Sequence, residues 1–323
     1  ENFSAGRYGT GYLCYPQCIL EKITPKDHGV AIGFGWQNDQ WRVDIGTTPK
    51  GFLLDSLVGG VIYQSDFEDF SYDIEFIRRP LTNSLLSFAG MEDVTLDKKW
   101  GGVIQQGITL GAYYDLGLEY GFWSTLDYHQ FNGLNVKDND RIRAMGGGYY
   151  RLYQGETFEW TVGSNLLYWS YKHNLSEETF GHGGYYSPQS YYGLSVPMTF
   201  DGKWREKLVY RLRFGVGYST SKTEDIEFFP NNPELQEQAL SLVDERVEAP
   251  IFEGSEGKGV SYNLQAIAEY HFHEHWIMGL SLSVDRAELY EPNYGQFYIK
   301  YKFNHILRPL DLGPRPISPY VNF

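Results

Sequence analysis

Long apolar runs are missing from this sequence of 323 residues: no stretch of about 18 apolar side chains occurs, so no segment can cross a membrane as a helix. Cysteine is nearly absent, with Cys14 and Cys18 alone, and two thiols by themselves do not make a structural zinc site. A basic excess is absent as well. Against 27 Lys and Arg stand 41 Asp and Glu, a formal net charge of −14, which argues against nucleic-acid binding. No Gly-x-Ser-x-Gly elbow marks a hydrolase nucleophile, and no helical repeat of about 34 residues recurs. No signal peptide opens the chain, so Glu1 reads as the start of a processed polypeptide.

What is present is aromatic and small: 27 Tyr, 20 Phe, 8 Trp and 36 Gly, at a mean hydropathy of only −0.42. A soluble β-sandwich of this size would normally put Val and Ile on buried faces and divide into more than one domain. Here short segments alternate with period two. Leu280, Leu282 and Val284 share one face, and Gly279, Ser281, Ser283 and Asp285 the other. Ile108, Leu110 and Ala112 oppose Gly107, Thr109 and Gly111, while Leu208, Tyr210, Leu212, Phe214 and Val216 oppose Arg211, Arg213, Gly215 and Gly217. Period two means β-strand. An apolar face rimmed by Tyr and Trp, opposite a face of glycine, serine and charge, predicts an all-β, antiparallel transmembrane β-barrel with lipid outside and water inside. Its location would be the bacterial outer membrane.

Read this way, strands fall over 1–10, 28–36, 39–47, 57–65, 70–79, 100–114, 118–130, 139–153, 156–173, 190–200, 206–220, 258–272, 275–288 and 293–303. Connections alternate between short (at 37–39, 66–69, 115–117, 154–155, 201–205 and 273–274) and long (11–27, 48–56, 80–99, 131–138, 174–189 and 221–257). Short turns are periplasmic and long loops extracellular in such barrels. The expectation is a barrel over 1–303 with about fourteen strands, wide enough for an aqueous lumen, and a tail over 304–323, periplasmic or lumenal. Pro309, Pro314, Pro316 and Pro319 keep that tail out of the ladder. In the longest loop, Asn232-Pro233 before Glu234–Arg246 predicts a short helix outside the membrane.

Alternation places Arg42, Asp44, Asp73, Glu75, Asp127, Arg141, Arg143, Arg151, Arg211, Arg213, Glu269, Asp285 and Lys300 inside. Both signs are present, so the lumen is no obvious ion filter. The negative charge gathers outside instead, with ten Asp or Glu in 223–257 against Arg246 alone. Trp123, Tyr149 and Trp169 fall on the polar register, and Tyr185, Tyr186, Tyr191 and Tyr192 sit near a loop. Flat rings with polar edges suit sugar faces, although each could instead belong to an aromatic girdle, because a one-residue slip turns every side chain over. Asp127 and His129 share a face, but Ser124 lies on the other, so no triad forms. His271, His273 and His275 share a strand face beside a turn and read as solvated. Cys14 and Cys18, in Cys-Tyr-Pro-Gln-Cys, read as a local disulfide in an oxidising compartment. No enzyme activity, metal or cofactor is expected.

Several words then resemble one family. Trp41–Phe52 (Trp-Arg-Val-Asp-Ile-Gly-Thr-Thr-Pro-Lys-Gly-Phe) with Val58-Gly59-Gly60, Arg78-Arg79-Pro80, Asn83–Gly90, Trp100–Val103 and Gly181–Gln189 (Gly-His-Gly-Gly-Tyr-Tyr-Ser-Pro-Gln) are similar to the C-terminal outer-membrane barrel of the C component of bacterial cellulose synthase, a cellulose export channel, as is the tail Gly313–Phe323. The resemblance implies sixteen strands and export of a cellulose or modified cellulose chain. It also implies a periplasmic tetratricopeptide-repeat scaffold N-terminal to the barrel and an inner-membrane cellulose synthase complex as partners, with membrane lipid around the wall. Its words fall on the long loops, so Thr47, Thr48, Pro49, Gly51 and Phe52, with Gly183 and Gly184, are expected in an extracellular loop gate, and Trp123, Tyr149, Trp169, Tyr185 and Tyr186, read from register and loop position, along the polymer's path. A general or solute-specific porin shares the architecture and would need segregated charge at a constriction. A barrel-embedded hydrolase would need a catalytic constellation that the sequence does not display.

Overall fold

The computed structural model describes residues 8–14, 26–93, 95–243, 249–286, 293–303 and 309–316. In chain order the strands are β1 (Gly33–Gln37), β2 (Trp41–Thr47), β3 (Leu57–Phe67), β4 (Phe70–Pro80), β5 (Met91–Asp93), β6 (Lys98–Tyr114), β7 (Tyr120–Leu134) and β8 (Asn139–Gln154). They continue as β9 (Phe158–Tyr171), β10 (Ser190–Trp204), β11 (Leu208–Lys222), β12 (Ile226–Glu227), β13 (Ile251–Phe252), β14 (Glu256–His273), β15 (Trp276–Arg286) and β16 (Asn293–Tyr301). Three short helices, α1 (Gly11–Cys14), α2 (Leu85–Ala89) and α3 (Pro233–Ser241), lie in the connections among the described residues.

One antiparallel sheet of 14 strands is present, and 13 of them form the wall. Its strands pair in chain order from β1 to β16, skipping only β12 and β13, which make a separate hairpin, while β5 pairs β6 off the main path. Every neighbour is therefore a hairpin neighbour. Register is fixed residue by residue, as in Leu280 opposite Phe297 and Ala268.

The wall is inside out relative to a soluble sheet. Leu280 and Leu282 are 46% and 48% exposed, whereas Ser281 between them is 4% exposed. Leu110, Leu212 and Phe214 are likewise exposed, and Asp44, Asp127, Arg141 and Glu269 are buried on the opposite face. An apolar surface this continuous would aggregate in water. Facing hydrocarbon, it is matched to its solvent.

Aromatic side chains band the short-turn end. Trp41 packs on Tyr63 (ring centroids 4.7 Å apart), Phe70 on Tyr114 (5.3 Å), Trp160 on Phe200 (5.3 Å) and Trp276 on Tyr301 (4.8 Å). Each ring sits within a few residues of a strand end, where an amphipathic ring reaches headgroup level. The turns below use left-handed backbone: Glu68 (φ 53°), Gly117 (φ 71°), and the pair Arg205 (φ 50°) and Glu206 (φ 46°). Two consecutive positive φ values match the twist of tight hairpins.

The strand expected over 1–10 does not form across its described residues. Tyr8, Gly9 and Thr10 are bend, bridge and turn, leading into α1. The sheet reaches 14 strands by another route, through β5. The helix expected from Asn232-Pro233 does form: Asn232 caps α3, its side chain accepting from the Leu235 N–H, and Pro233 begins the first turn. It ends at Ser241, with Leu242 as its C-cap, and the remainder of the expected span, to Arg246, lies largely outside the described residues. Residues 309–316 lie against the short-turn end, where Leu310 N–H donates to Glu206 (2.6 Å) and Lys300 Nζ to the Arg315 carbonyl (2.8 Å).

Candidate functional site: a packed cap and an inner groove

Among the described residues, the hydrophobic core is gathered at the long-loop end rather than along the sheet. Leu86, Trp100, Val103, Phe131, Tyr171, Leu175, Phe180, Tyr185, Phe228, Phe229 and Phe252 form one buried cluster. Val103, Phe131 and Tyr171 belong to β6, β7 and β9 and lie on the register of the buried inner face. The loops therefore fold down onto the inside of the wall as a cap.

Local chemistry explains how the loops hold this shape. Ser84 caps α2 by accepting from Ser87 N–H (3.0 Å), and Ser87 Oγ accepts from Ser84 N–H (2.9 Å), a reciprocal capping box built from two serines. Leu54 N–H donates to the Ala89 carbonyl (2.9 Å), and Phe52 packs edge-on against Phe88 (4.9 Å), joining loop 48–56 to α2. Gly101 has φ +102°, and a Cβ there would collide with the Leu86 carbonyl oxygen, so only glycine lets β6 pass under α2. Gly184, at φ +64°, lies against Ser84 Oγ and Leu86. Loops 48–56, 80–99 and 180–189 thus meet, as their sequence words implied.

Two parts of the cap had no signal that singled them out. The longest loop, braced internally by Phe228 stacked on Phe252 (4.2 Å), joins through His182, which lies edge-on to Phe252 (5.5 Å) with its Nε2 3.0 Å from the Glu227 carbonyl. Residues 8–12 also enter it, with Tyr8 on Trp100 (5.3 Å) and Tyr12 edge-on to Phe228 (4.9 Å).

Along the inner face, charge is neutralised locally. Asp127 accepts from Arg141 (3.0 Å) and Arg143 (2.5 Å), with His129 Nδ1 3.3 Å away. Asp44 takes both nitrogens of Arg79 at 2.6 Å, a bidentate pair. Glu269 accepts from Lys300 (2.7 Å) and Tyr298 (2.6 Å), and Asp201 pairs with Arg211 (2.8 Å). Alternation placed Asp44, Asp127, Arg141, Arg143, Arg211, Glu269 and Lys300 inside; Arg79 and Asp201 join them as partners it had not placed there. At the short-turn end Asp115 accepts from Arg151 (2.5 Å) and from the Tyr149 hydroxyl. Burial pushes its pKa up, but these bonds and the Gly117 N–H outweigh burial and hold it down at about 2.

Between these pairs lies a cavity of about 540 Å³ lined by Trp123, Tyr149, Asn165, Ser195, Arg213 and Asn263, among others. Trp123 and Tyr149 therefore stand together on the inner face. Trp169 does not join them: it stacks on Tyr191 (4.4 Å) and packs against the cap. Tyr185 is 2% exposed, stacked on Phe131 (5.7 Å) with its hydroxyl accepting from Asn139 (3.1 Å), so its ring is part of the cap's own packing. Tyr186 is exposed. Thr48 is buried, its hydroxyl accepting from Ser56 N–H (2.8 Å), with Thr47 and Pro49 half-buried beside it and Gly51 exposed. Gly183 is buried, with Tyr185 and Val103 where a side chain would go. The pairing of Cys14 with Cys18 lies outside the described residues. His129 and Asp127 are adjacent, but Ser124 points to the exposed face and is not brought to them.

A sequence profile described as "Cellulose synthase operon protein C C-terminus" matches residues 1–304. The chain belongs to this family. It is 33% identical over 315 residues to the cellulose synthase operon protein C of Escherichia coli K12, covering 96% of this chain and 26% of that protein. The protein of the same name from Salmonella typhimurium is 34% identical over 315 residues, covering 95% and 26%. The chain thus spans about a quarter (26%) of the curated relatives it matches. Among solved structures, a bacterial polysaccharide outer membrane secretin aligns at a TM-score of 0.54 with 11% identity, covering 85% of this chain and 79% of that one, a likeness of fold. An inside-out sheet with an aromatic band, in a member of this family, is located in the outer membrane.

Proposed function

We propose that this chain is an outer-membrane channel through which a β-1,4-glucan, cellulose or a modified cellulose, passes from the periplasm to the cell surface. The observation that carries the reading is the inner face itself. Its buried carboxylates are each paired, and the open space between them is lined by Trp123, Tyr149 and amide and hydroxyl side chains, with charge of both signs from Arg213, Asp285 and Arg286. A neutral polymer needs no strong field, and conduction demands contacts weak enough to release. Rings with polar neighbours offer sugar faces such contacts.

In this reading the channel does no chemistry. Residues 1–303 supply wall and cap, and 304–323 a tail at the periplasmic end. Thr47, Thr48, Pro49, Gly51, Phe52, Gly183 and Gly184 shape the gate, Trp123 and Tyr149 contact the polymer inside, and Trp169, Tyr185 and Tyr186 meet it when the cap parts. A periplasmic tetratricopeptide-repeat scaffold would deliver the chain, and an inner-membrane cellulose synthase complex would supply the force.

Shortening loop 180–189 should raise ion conductance in planar bilayers, and Trp123→Ala should slow glucan secretion from cells while leaving the folded wall intact. A plain porin predicts steady conductance with the loop in place and no effect of Trp123→Ala on secretion. That pair of results would displace the export reading.

A further inference from the structure

Residues 8–12 cross the cap as a strap that ties its loops to one another. Gly9 N–H donates to the Glu178 carbonyl (2.9 Å) and the Gly9 carbonyl accepts from Phe180 N–H (3.1 Å), fastening the strap to loop 172–189. Thr10 donates twice to Asp93, from its backbone N–H (2.6 Å) and its hydroxyl (3.0 Å). Asp93 is 3% exposed and also accepts from Thr95 N–H (3.0 Å) and Leu96 N–H (2.8 Å), so it fastens the strap to loop 80–99. Tyr12, 6% exposed, reaches the longest loop through Phe228.

We propose that this strap is the latch of the gate, with Asp93 and Thr10 as its catch. While they are joined, loops 80–99, 172–189 and 223–254 are held as one body; when the strap leaves, the loops part and the mouth opens. The catch is small. It consists of one buried carboxylate with four donors, beside a glycine in the left-handed region (φ +52°) where a Cβ would run into Asp93. A carboxylate that loses two donors while still buried gains nothing in their place, whereas in the parted cap water replaces them, so the catch favours fully joined or fully released states over intermediate ones. The inference rests on the channel reading above.

Single-channel recording in planar bilayers tests it with the whole chain. Asp93→Asn keeps the shape of the side chain and removes its charge, and Gly9→Val obstructs the catch. Each should raise open probability at least about tenfold over wild type, the scale set by losing charge-assisted hydrogen bonds, with unit conductance matching a variant whose loop 180–189 is shortened. Unchanged heat-modifiable migration on gels certifies the wall. If the shortened loop conducts while both strap variants stay closed like wild type, the latch is wrong and the channel stands; if the shortened loop is silent too, both readings fall. Hydrogen exchange of the unmodified protein gives a measure that needs no variant. The Gly9, Thr10 and Phe180 amides should share one protection factor, and unlike protection would overturn release as a unit.

Discussion

Single side chains on this wall obey opposite rules on its two faces. Asp127 has no exposed side-chain surface and is held by Arg141, Arg143 and His129. Asp127→Asn removes the counter-charge from two partly or wholly buried guanidinium groups and should lower stability by about 3 kcal/mol. Asp201→Asn, in a pair more open to water, should cost about 1 kcal/mol or less. Reversible urea unfolding in lipid vesicles checks both, and equal losses would show that burial does not set the cost. On the outer face, Leu282→Arg near the bilayer midplane should cost about 2–4 kcal/mol. Ser195→Arg, opening into the inner cavity, should cost well under half of that; parity would mean the faces are misassigned. Which face Asp127, Arg141, Arg143 and Leu282 took was legible from alternation alone, because a period of two leaves only two answers, whereas Asp201 was read as part of a short turn and lies in β10. Tyr185 shows the limit. It stands in a loop with no period, so nothing in its neighbours announced that it would be sealed against Phe131.

At the scale of elements, the strands were readable because lipid outside and water inside impose opposite chemistry on successive residues. The cap was only partly so. Gly181–Gly184 and Asn83–Gly90 carried recognisable words, and Asn232-Pro233 announced a helix start. β5 and α2 are too short to show a period, and the role of residues 8–12 depends on partners over 80 and over 160 positions away. His182 links these pieces. It is completely buried between its own loop and Glu227, and burial, with Lys137 nearby, lowers its pKa from the ordinary 6.5 to about 4 against the raising effect of the Glu227 carbonyl. The neutral imidazole is thus the form the packed cap holds. An opened cap binds a proton there more readily, so the His182 contribution is complete above about pH 6.5 and declines as pH falls towards 4. Amide exchange at Phe229 and Leu175, corrected for intrinsic rates, should show protection falling between about pH 7 and about pH 5. His182→Gln should flatten that slope. A slope that survives the substitution would assign it to another group.

For the whole molecule, orientation follows from an asymmetry between its two ends. One end has tight turns such as Phe67–Phe70 and a dense band of rings, and the other has a cap assembled from at least five connections. Polar loops of that size are translocated once, outward, whereas short turns can stay on the side from which the barrel inserts. The acidic longest loop, with α3 on it, should therefore lie at the cell surface. In a background where Cys14 and Cys18 are replaced by serine, Leu240→Cys on the exposed face of α3 should react with a membrane-impermeant maleimide on intact cells. Asp69→Cys, in an exposed short turn between β3 and β4, should react only after the outer membrane is permeabilised. The reverse pattern would place the cap in the periplasm, where it would meet the polymer at entry, and export through a gate opening outward would no longer fit this wall.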